Sequence, residues 1–261
     1  MISVFRCLSV SCCVVAWLAA VGCIRIPAAT VVDTNPALLT VLTWNMHGGR
    51  GDLERLIADL EAGRLTGTPP REYVLLLQEF VDRDDARTGH SGSRRLTLFS
   101  SPVRGVSSNA IISTIPLANA RTIDLPRERQ PRAAVAATIR LSGEPFFVVC
   151  AHLENRLGWL RGLFGDRARG RQAEALLQAL PRGHGIVGGD MNTMLGEDEP
   201  AWRMLQRRFP DTPGRPEPTF RNRLVLDHLF FDLPEAWRVT RRVVSDQYRS
   251  DHHPVVAEIR S

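Results

Sequence analysis

The chain has 261 residues, 44% of them hydrophobic and 23% charged, which suits one large globular domain or two small ones with a sizeable core and excludes a disordered chain. Formal net charge is +5 with a pI near 9.4, and there is no lysine, so every ordinary cation is arginine. This excess is compatible with a polyanionic or anionic-membrane partner and does not demand one.

The first 23 residues carry a single charge, Arg6, followed by an apolar run over 7–21 and then Gly22-Cys23. That layout is a secretory signal, with a basic start, an apolar stretch and small residues at the cut. The run falls short of the roughly 20 residues of a comfortable bilayer span, so a retained transmembrane helix ranks second. A buried core helix ranks third. Ala20-Val21-Gly22-Cys23 also resembles a bacterial lipoprotein cleavage site, in which the cysteine becomes the lipidated first residue. The expectation is an exported monomer, either held at the bacterial cell envelope (periplasmic, or tethered to the membrane through Cys23) or secreted. Removing 1–23 takes away only Arg6, leaving +5 − 1 = +4, and removes Cys7, Cys12, Cys13 and Cys23. Cys150 then stands alone, so no intramolecular disulfide framework is available. It closes the apolar run 146–149 and reads as a buried strand residue rather than a nucleophile.

Residues 24–38 read as a tether, with Pro27 and Pro36 and no periodicity, and 39–261 as the folded domain. Short apolar runs follow, each bounded by polar residues: 39–44 into Asn45, 73–77 into Gln78-Glu79, 110–112 after Asn109, 135–141 after Arg132, and 146–151 into His152. Three more are 186–187 through two glycines into Asp190, 224–226 into Asp227, and 254–259 after Asp251-His252. Runs of this kind predict buried strands. Helical spacing of leucine, isoleucine and alanine predicts helices over 52–61 and 169–180, with a weaker one over 199–208. Loops at 81–95, 155–168 and 209–223 are the expected substrate-facing rims.

Carboxylates, amides and imidazoles recur where an apolar strand stops, and strand ends are rigid platforms that can converge on one cleft. Hard oxygen donors dominate among Asn45, Glu79, Asp190, Asn192, Asp227 and Asp251. This set suits Mg²⁺, with Mn²⁺ as its substitute, whereas zinc would want clustered His or Cys. Asp251-His252 sets a carboxylate beside an imidazole, so one turn could serve both a cation and an attacking water, with Asp227 accepting the imidazole N–H. Gly188-Gly189-Asp190-Met191-Asn192 is a tight turn whose Asp could orient water and whose Asn could donate to a phosphate oxygen; an ordinary Asx turn is the alternative. His152 could touch a non-bridging phosphate oxygen, or could simply be hydrogen-bonded structure.

In order along the chain, Thr43-Trp44-Asn45, Leu77-Gln78-Glu79, Ser108-Asn109-Ala110-Ile111, Ala151-His152-Leu153, Gly189-Asp190-Met191-Asn192, Leu226-Asp227-His228 and Ser250-Asp251-His252-His253-Pro254 resemble the endonuclease/exonuclease/phosphatase superfamily, the DNase I-like enzymes. The resemblance covers roughly residues 40–260. It implies a four-layer α/β sandwich of two packed mixed β-sheets flanked by helices, and a Mg²⁺-dependent phosphoesterase that activates water with a His-Asp pair. It further implies Glu79, Asn45 and Asp251 at the metal, His252, Asp227, Asp190, Asn192 and His152 as catalytic residues, and Asn109 and Arg132 near the substrate. His47 departs from the acidic residue usual two places after the strand-end Asn in apurinic-site endonucleases, and their mid-chain tyrosine stretch is missing. Nucleic acid is one expected substrate, through the arginine-rich stretches 161–171 and 238–242. A phospholipid or inositol-phosphate head group is the other, since Leu157-Gly158-Trp159-Leu160 with Leu163-Phe164 could lie on a lipid surface. A catalytically silent binding protein of the same fold is the rival from another class.

Overall fold

The computed structural model describes residues 38–81, 90–91, 94–101, 108–155, 165–213 and 217–261. The expected signal, Cys23, the tether up to residue 37 and the 157–164 apolar stretch lie outside these. The elements in chain order are β1 (Leu39–Asn45), α1 (Leu53–Glu61), β2 (Tyr73–Phe80), β3 (His90–Ser91), β4 (Arg94–Arg95), β5 (Thr97–Ser101), β6 (Ser108–Ser113), β7 (Ala118–Asp124), β8 (Ala133–Leu141) and β9 (Glu144–His152). There follow α2 (Gly165–Ala179), β10 (Gly185–Asp190), α3 (Pro200–Arg208), β11 (Asp227–Asp232), β12 (Arg238–Val243) and β13 (Val255–Arg260).

Six strands form one sheet in the order β12-β13-β1-β2-β6-β5, and five form the other in the order β11-β10-β9-β8-β7. Both are mixed: β1 and β2 run parallel, as do β9 and β10, while the other pairings are antiparallel. Val41, Leu76, Ile111 and Ala257 from the first sheet meet Val135, Val148, Ile186 and Leu229 from the second, all buried, in the central core. Trp44, Leu75 and Val256 face the other way onto Leu56, Ile57 and Leu60 of α1. Val149, Val187 and Phe230 pack on Ala173 and Leu176 of α2 and Leu205 of α3. The result is helix, sheet, sheet, helix pair. Central strands buried on both faces explain why they read as continuous apolar runs rather than alternating ones.

The expected helices appear with small shifts. Asp52 caps α1 instead of starting it, its Oδ1 accepting from Arg55 N at 3.2 Å. Residues 224–226 are not a strand: β11 opens at Asp227, so this carboxylate heads its strand rather than ending one. Strands β5, β7 and β12 have no counterpart in the sequence reading. Arg238 and Arg242 sit on β12 and bond the carbonyls of Glu235, Trp237 and Leu65, which commits them to the fold. Arg169, in the other arginine-rich stretch, is fully buried and holds Glu199 through two bonds of 2.6 and 2.8 Å. Among the described residues no helix is long and apolar enough to cross a membrane.

Candidate active site

Strand direction and register bring the polar residues to one end. Parallel pairing sets Asn45 beside Gln78 at the ends of β1 and β2, and His152 beside Asp190 at the ends of β9 and β10. Antiparallel pairing sets Asp227, the first residue of β11, opposite Asp190. The 250–254 segment enters β13, whose start pairs with Thr43 near the end of β1. Asn45 closes the gap between the sheets, its Nδ2 donating to Asp190 Oδ2 at 3.0 Å and lying 3.4 Å from Glu79 Oε1.

Local irregularity aims the side chains. The β2–β6 register slips between Leu77 and Phe80, and Glu79 within that bulge has φ 53°. A bulge of this kind turns Glu79 out of the sheet while Gln78 stays in the core, bonded to Thr43 Oγ1 at 3.0 Å and Cys150 Sγ at 3.2 Å. His47 and Asn192 also have positive φ, a backbone state that non-glycine residues adopt at a cost and that clusters where function requires it. Gly189 has φ +152°, and a Cβ there would lie 1.8 Å from Ala151 O. Gly189→Ala should therefore cost at least about 3 kcal/mol of stability, from overpacking plus backbone strain, as read by denaturant unfolding. An unchanged midpoint would mean that β9 and β10 are not held this close.

The centre is a buried triad. His252 Nδ1 lies 2.7 Å from Asp227 Oδ2, and His252 Nε2 lies 3.9 Å from Asp190 Oδ2. Burial works against a charged His252, but the Asp227, Asp190 and Asp251 carboxylates outweigh it and push its pKa up to about 10. Burial and the neighbouring Asp227 push Asp190 up to about 7, against the pull of His252 and the bonds from Asn45 and the Asn192 N–H. His152 Nε2 is 3.5 Å from Asp190 Oδ2; burial, then the cations Arg132 and His252, hold it well below the usual imidazole range, so it is neutral. One imidazole is thus built to hold a proton and the other to remain without charge.

The remaining residues surround this triad. Gly48 N donates to Glu79 Oε2 at 2.7 Å, and His47 Nδ1 approaches Asp251 Oδ1 at 3.5 Å. Asn45 Oδ1 accepts from His47 N, so in this arrangement Asn45 ties Glu79 to Asp190 rather than presenting a free oxygen. Asn192 donates to Leu153 O at 3.2 Å, and Asn109 donates to Ala133 O at 2.6 Å, close to Arg132 in the chain. Arg132 is 8% exposed, in the field of Asp190, Glu154 and Glu79, and its Nε has no hydrogen-bond partner. Four further residues support the site, of which Trp44, Gln78 and Ser250 fall within the segments that carry the family resemblance but have no role of their own in the sequence reading. Trp44 Nε1 donates to His252 O at 3.1 Å, Ser250 Oγ donates to Asn45 O at 2.7 Å while accepting from His252 N, Gln78 anchors the bulge, and the Phe220 ring lies 4.8 Å from the His252 ring. Phe220 lies outside every matching segment, looks like a core residue in sequence, and no local pattern marks it.

The sequence pattern of the endonuclease/exonuclease/phosphatase family matches residues 42–252, which takes in the site from end to end. The chain belongs to that family. Members of the family are generally hydrolases of phosphate esters. No curated protein is close enough in sequence to count as a match. Among solved structures, the catalytic domain of human Nocturnin with bound sulfate is similar at 22% identity and TM-score 0.63, covering 87% of this chain and 96% of that one. Humanized D. rerio TDP2 is similar at 16% identity and TM-score 0.61, covering 85% and 99%, and sphingomyelinase C from Streptomyces griseocarneus at 18% and 0.60, covering 85% and 99%. These likenesses establish the DNase I-like fold.

Family members are generally dependent on a divalent cation, and the donors here fit one. Carboxylates dominate, the one cysteine of the domain is sealed in the inter-sheet core with its thiol pushed up to about 12 by burial, and Asp227 Oδ1 is buried without a partner. Ligand atoms of Asp190, Asp227 and His252 lie within 4.8 Å of one another and form a possible site. A cation there would compete with the 2.7 Å His252–Asp227 bond. Glu79 and Asp251, more open and not so bonded, offer oxygens without that conflict.

Proposed function

We propose that this family member is a Mg²⁺-dependent phosphodiesterase in which His252 activates water for in-line attack on a phosphate ester. The observation that carries the reading is the buried Asp227–His252 bond aimed at Asp190, with buried Arg132, whose Nε has no hydrogen-bond partner, in the field of Asp190. Glu79 and Asp251 would hold the cation, which would supply charge to neutralise the phosphate oxygens and ease loss of the leaving group. Asp227 fixes the imidazole tautomer and stabilises the imidazolium that forms as His252 takes the water proton. Asp190 orients that water, Asn192 and neutral His152 donate toward phosphate oxygens, and the unpaired Nε of Arg132 offers a charge-assisted bond to the same group. Asn109 holds the Ala133 carbonyl and thereby the position of Arg132. The N-terminal 23 residues support an exported enzyme, tethered through Cys23 or free outside the cytoplasm.

Support for the alternative, a phospholipid or inositol-phosphate phosphoesterase, comes from the shared fold with a sphingomyelinase C. A silent binding protein is disfavoured because every position the chemistry needs carries a competent residue. The test is turnover of plasmid DNA, RNA, sphingomyelin and inositol phosphates side by side with Mg²⁺ present. Hydrolysis of at least one is expected; inertness toward all four, in folded protein, would favour the binding-protein reading.

A further inference from the structure

The 219–224 hairpin presents an arginine at the mouth of the site by an unusually committed construction. Its backbone is fastened to the catalytic segment, with His253 N donating to Thr219 O at 2.7 Å and Arg221 N to Asp251 O at 3.4 Å. The buried Thr219 hydroxyl accepts from the N–H groups of Leu226 and Asp227, both at 3.1 Å, so the same residue grips the strand that carries Asp227. At the tip Arg221 and Asn222 take φ 47° and 55°, and Asn222 Oδ1 is locked to His253 Nε2 at 2.8 Å. Two successive left-handed non-glycine residues are strained, and the strain is kept here beside the catalytic imidazole.

The side chains form a stack leading outward. The Phe220 ring lies 4.8 Å from the His252 ring, and the Arg221 guanidinium lies over the Phe220 ring at 5.0 Å. Arg221 is 71% exposed and 4.0 Å from Asp251 Oδ2, a loose surface pair that leaves most of its donors open. A planar cation held against an aromatic face is poised for a second anion beside the scissile phosphate. It would repel a quaternary ammonium placed there, and the aromatic ring that might otherwise receive one is already occupied by the guanidinium.

We propose that Arg221 is a specificity-determining residue that selects phosphate esters carrying a second anionic group next to the bond being cut, against zwitterionic choline esters. The inference rests on the phosphoesterase reading above and narrows it. Nucleic acids and inositol polyphosphates share the required chemistry, so the test carries both. Wild type, Arg221→Ala, Arg221→Lys and Arg221→Glu are assayed with Mg²⁺ on a single-stranded oligonucleotide, an inositol polyphosphate, glycerophosphocholine and bis(p-nitrophenyl) phosphate, which lacks a flanking charge. The readout is the ratio of kcat/KM for the preferred anionic substrate to that for bis(p-nitrophenyl) phosphate. In Arg221→Ala this ratio should fall about tenfold or more, mainly through KM, as expected for loss of one charge-assisted contact. It should recover in large part in Arg221→Lys and fall further in Arg221→Glu. A ratio unchanged in Arg221→Ala, whether both activities persist or both fall together, overturns the inference, as does a wild type that prefers glycerophosphocholine. Wild-type protein inert toward every substrate overturns the phosphoesterase reading and this inference with it.

Discussion

His252→Asn should lower kcat on a phosphodiester by about 10²–10⁴, the usual contribution of a positioned general base, while leaving the protein folded. The asparagine amide can keep a donor near Asp227 Oδ2, where the imidazole now sits at 2.7 Å, but it cannot accept the water proton. His252→Ala should be equally inactive and less stable than His252→Asn by about 1–3 kcal/mol, because it also leaves the buried Asp227 carboxylate without the hydrogen-bond donor that the asparagine amide keeps. The two variants together separate chemistry from folding. Steady-state kinetics and denaturant unfolding read both quantities, and an Asn variant with near wild-type kcat would remove His252 from the role of base.

Much of this site was legible because the chemistry-bearing residue types stand directly at the ends of apolar runs. Asn45, Glu79, His152 and Asp190 all lie at the ends of strands whose both-face burial makes them visible as unbroken apolar stretches. Asp227 joins the same cluster although the run before it is irregular chain. Strand β7 was missed because five of its first six residues are neither apolar by pattern nor buried, and β12 because arginines at an edge read as surface charge. The arginines of 161–171 and 238–242 suggest a phosphate track in sequence, yet those described are largely engaged in the fold; Arg132, in the field of the site carboxylates, follows Arg127 and Arg129, so no charge pattern singles it out. Trp44, Gln78, Ser250 and Phe220 act through contacts with residues far away in the chain, and such contacts leave no local mark. Composition and order could reveal the reaction class, but the supporting contacts required the fold.

Treatment with EDTA should abolish hydrolysis altogether, and Mg²⁺ or Mn²⁺ should restore it. Glu79→Gln should raise the half-saturating cation concentration by about tenfold to a hundredfold or more, since even outer contacts to a cation have effects of that size. The proton inventory gives the sign of the pH dependence. In the metal-free protein His252, pushed up to about 10, and Asp190, pushed up to about 7, retain protons at neutral pH. A divalent charge nearby favours their deprotonated forms, so cation uptake releases protons and apparent affinity should rise with pH, Asp190 contributing up to about pH 7 and His252 up to about pH 10. Activity indifferent to chelation would count against this account, as would cation affinity that weakens as pH rises.

The most direct measurement is anomalous diffraction from crystals soaked in Mn²⁺. A peak within about 2.0–2.6 Å of carboxylate oxygens of Glu79 and Asp251, with the His252–Asp227 bond intact, is the expected result. A peak bound instead to Asp227 and His252, breaking that bond, would contradict the assignment of His252 as the base.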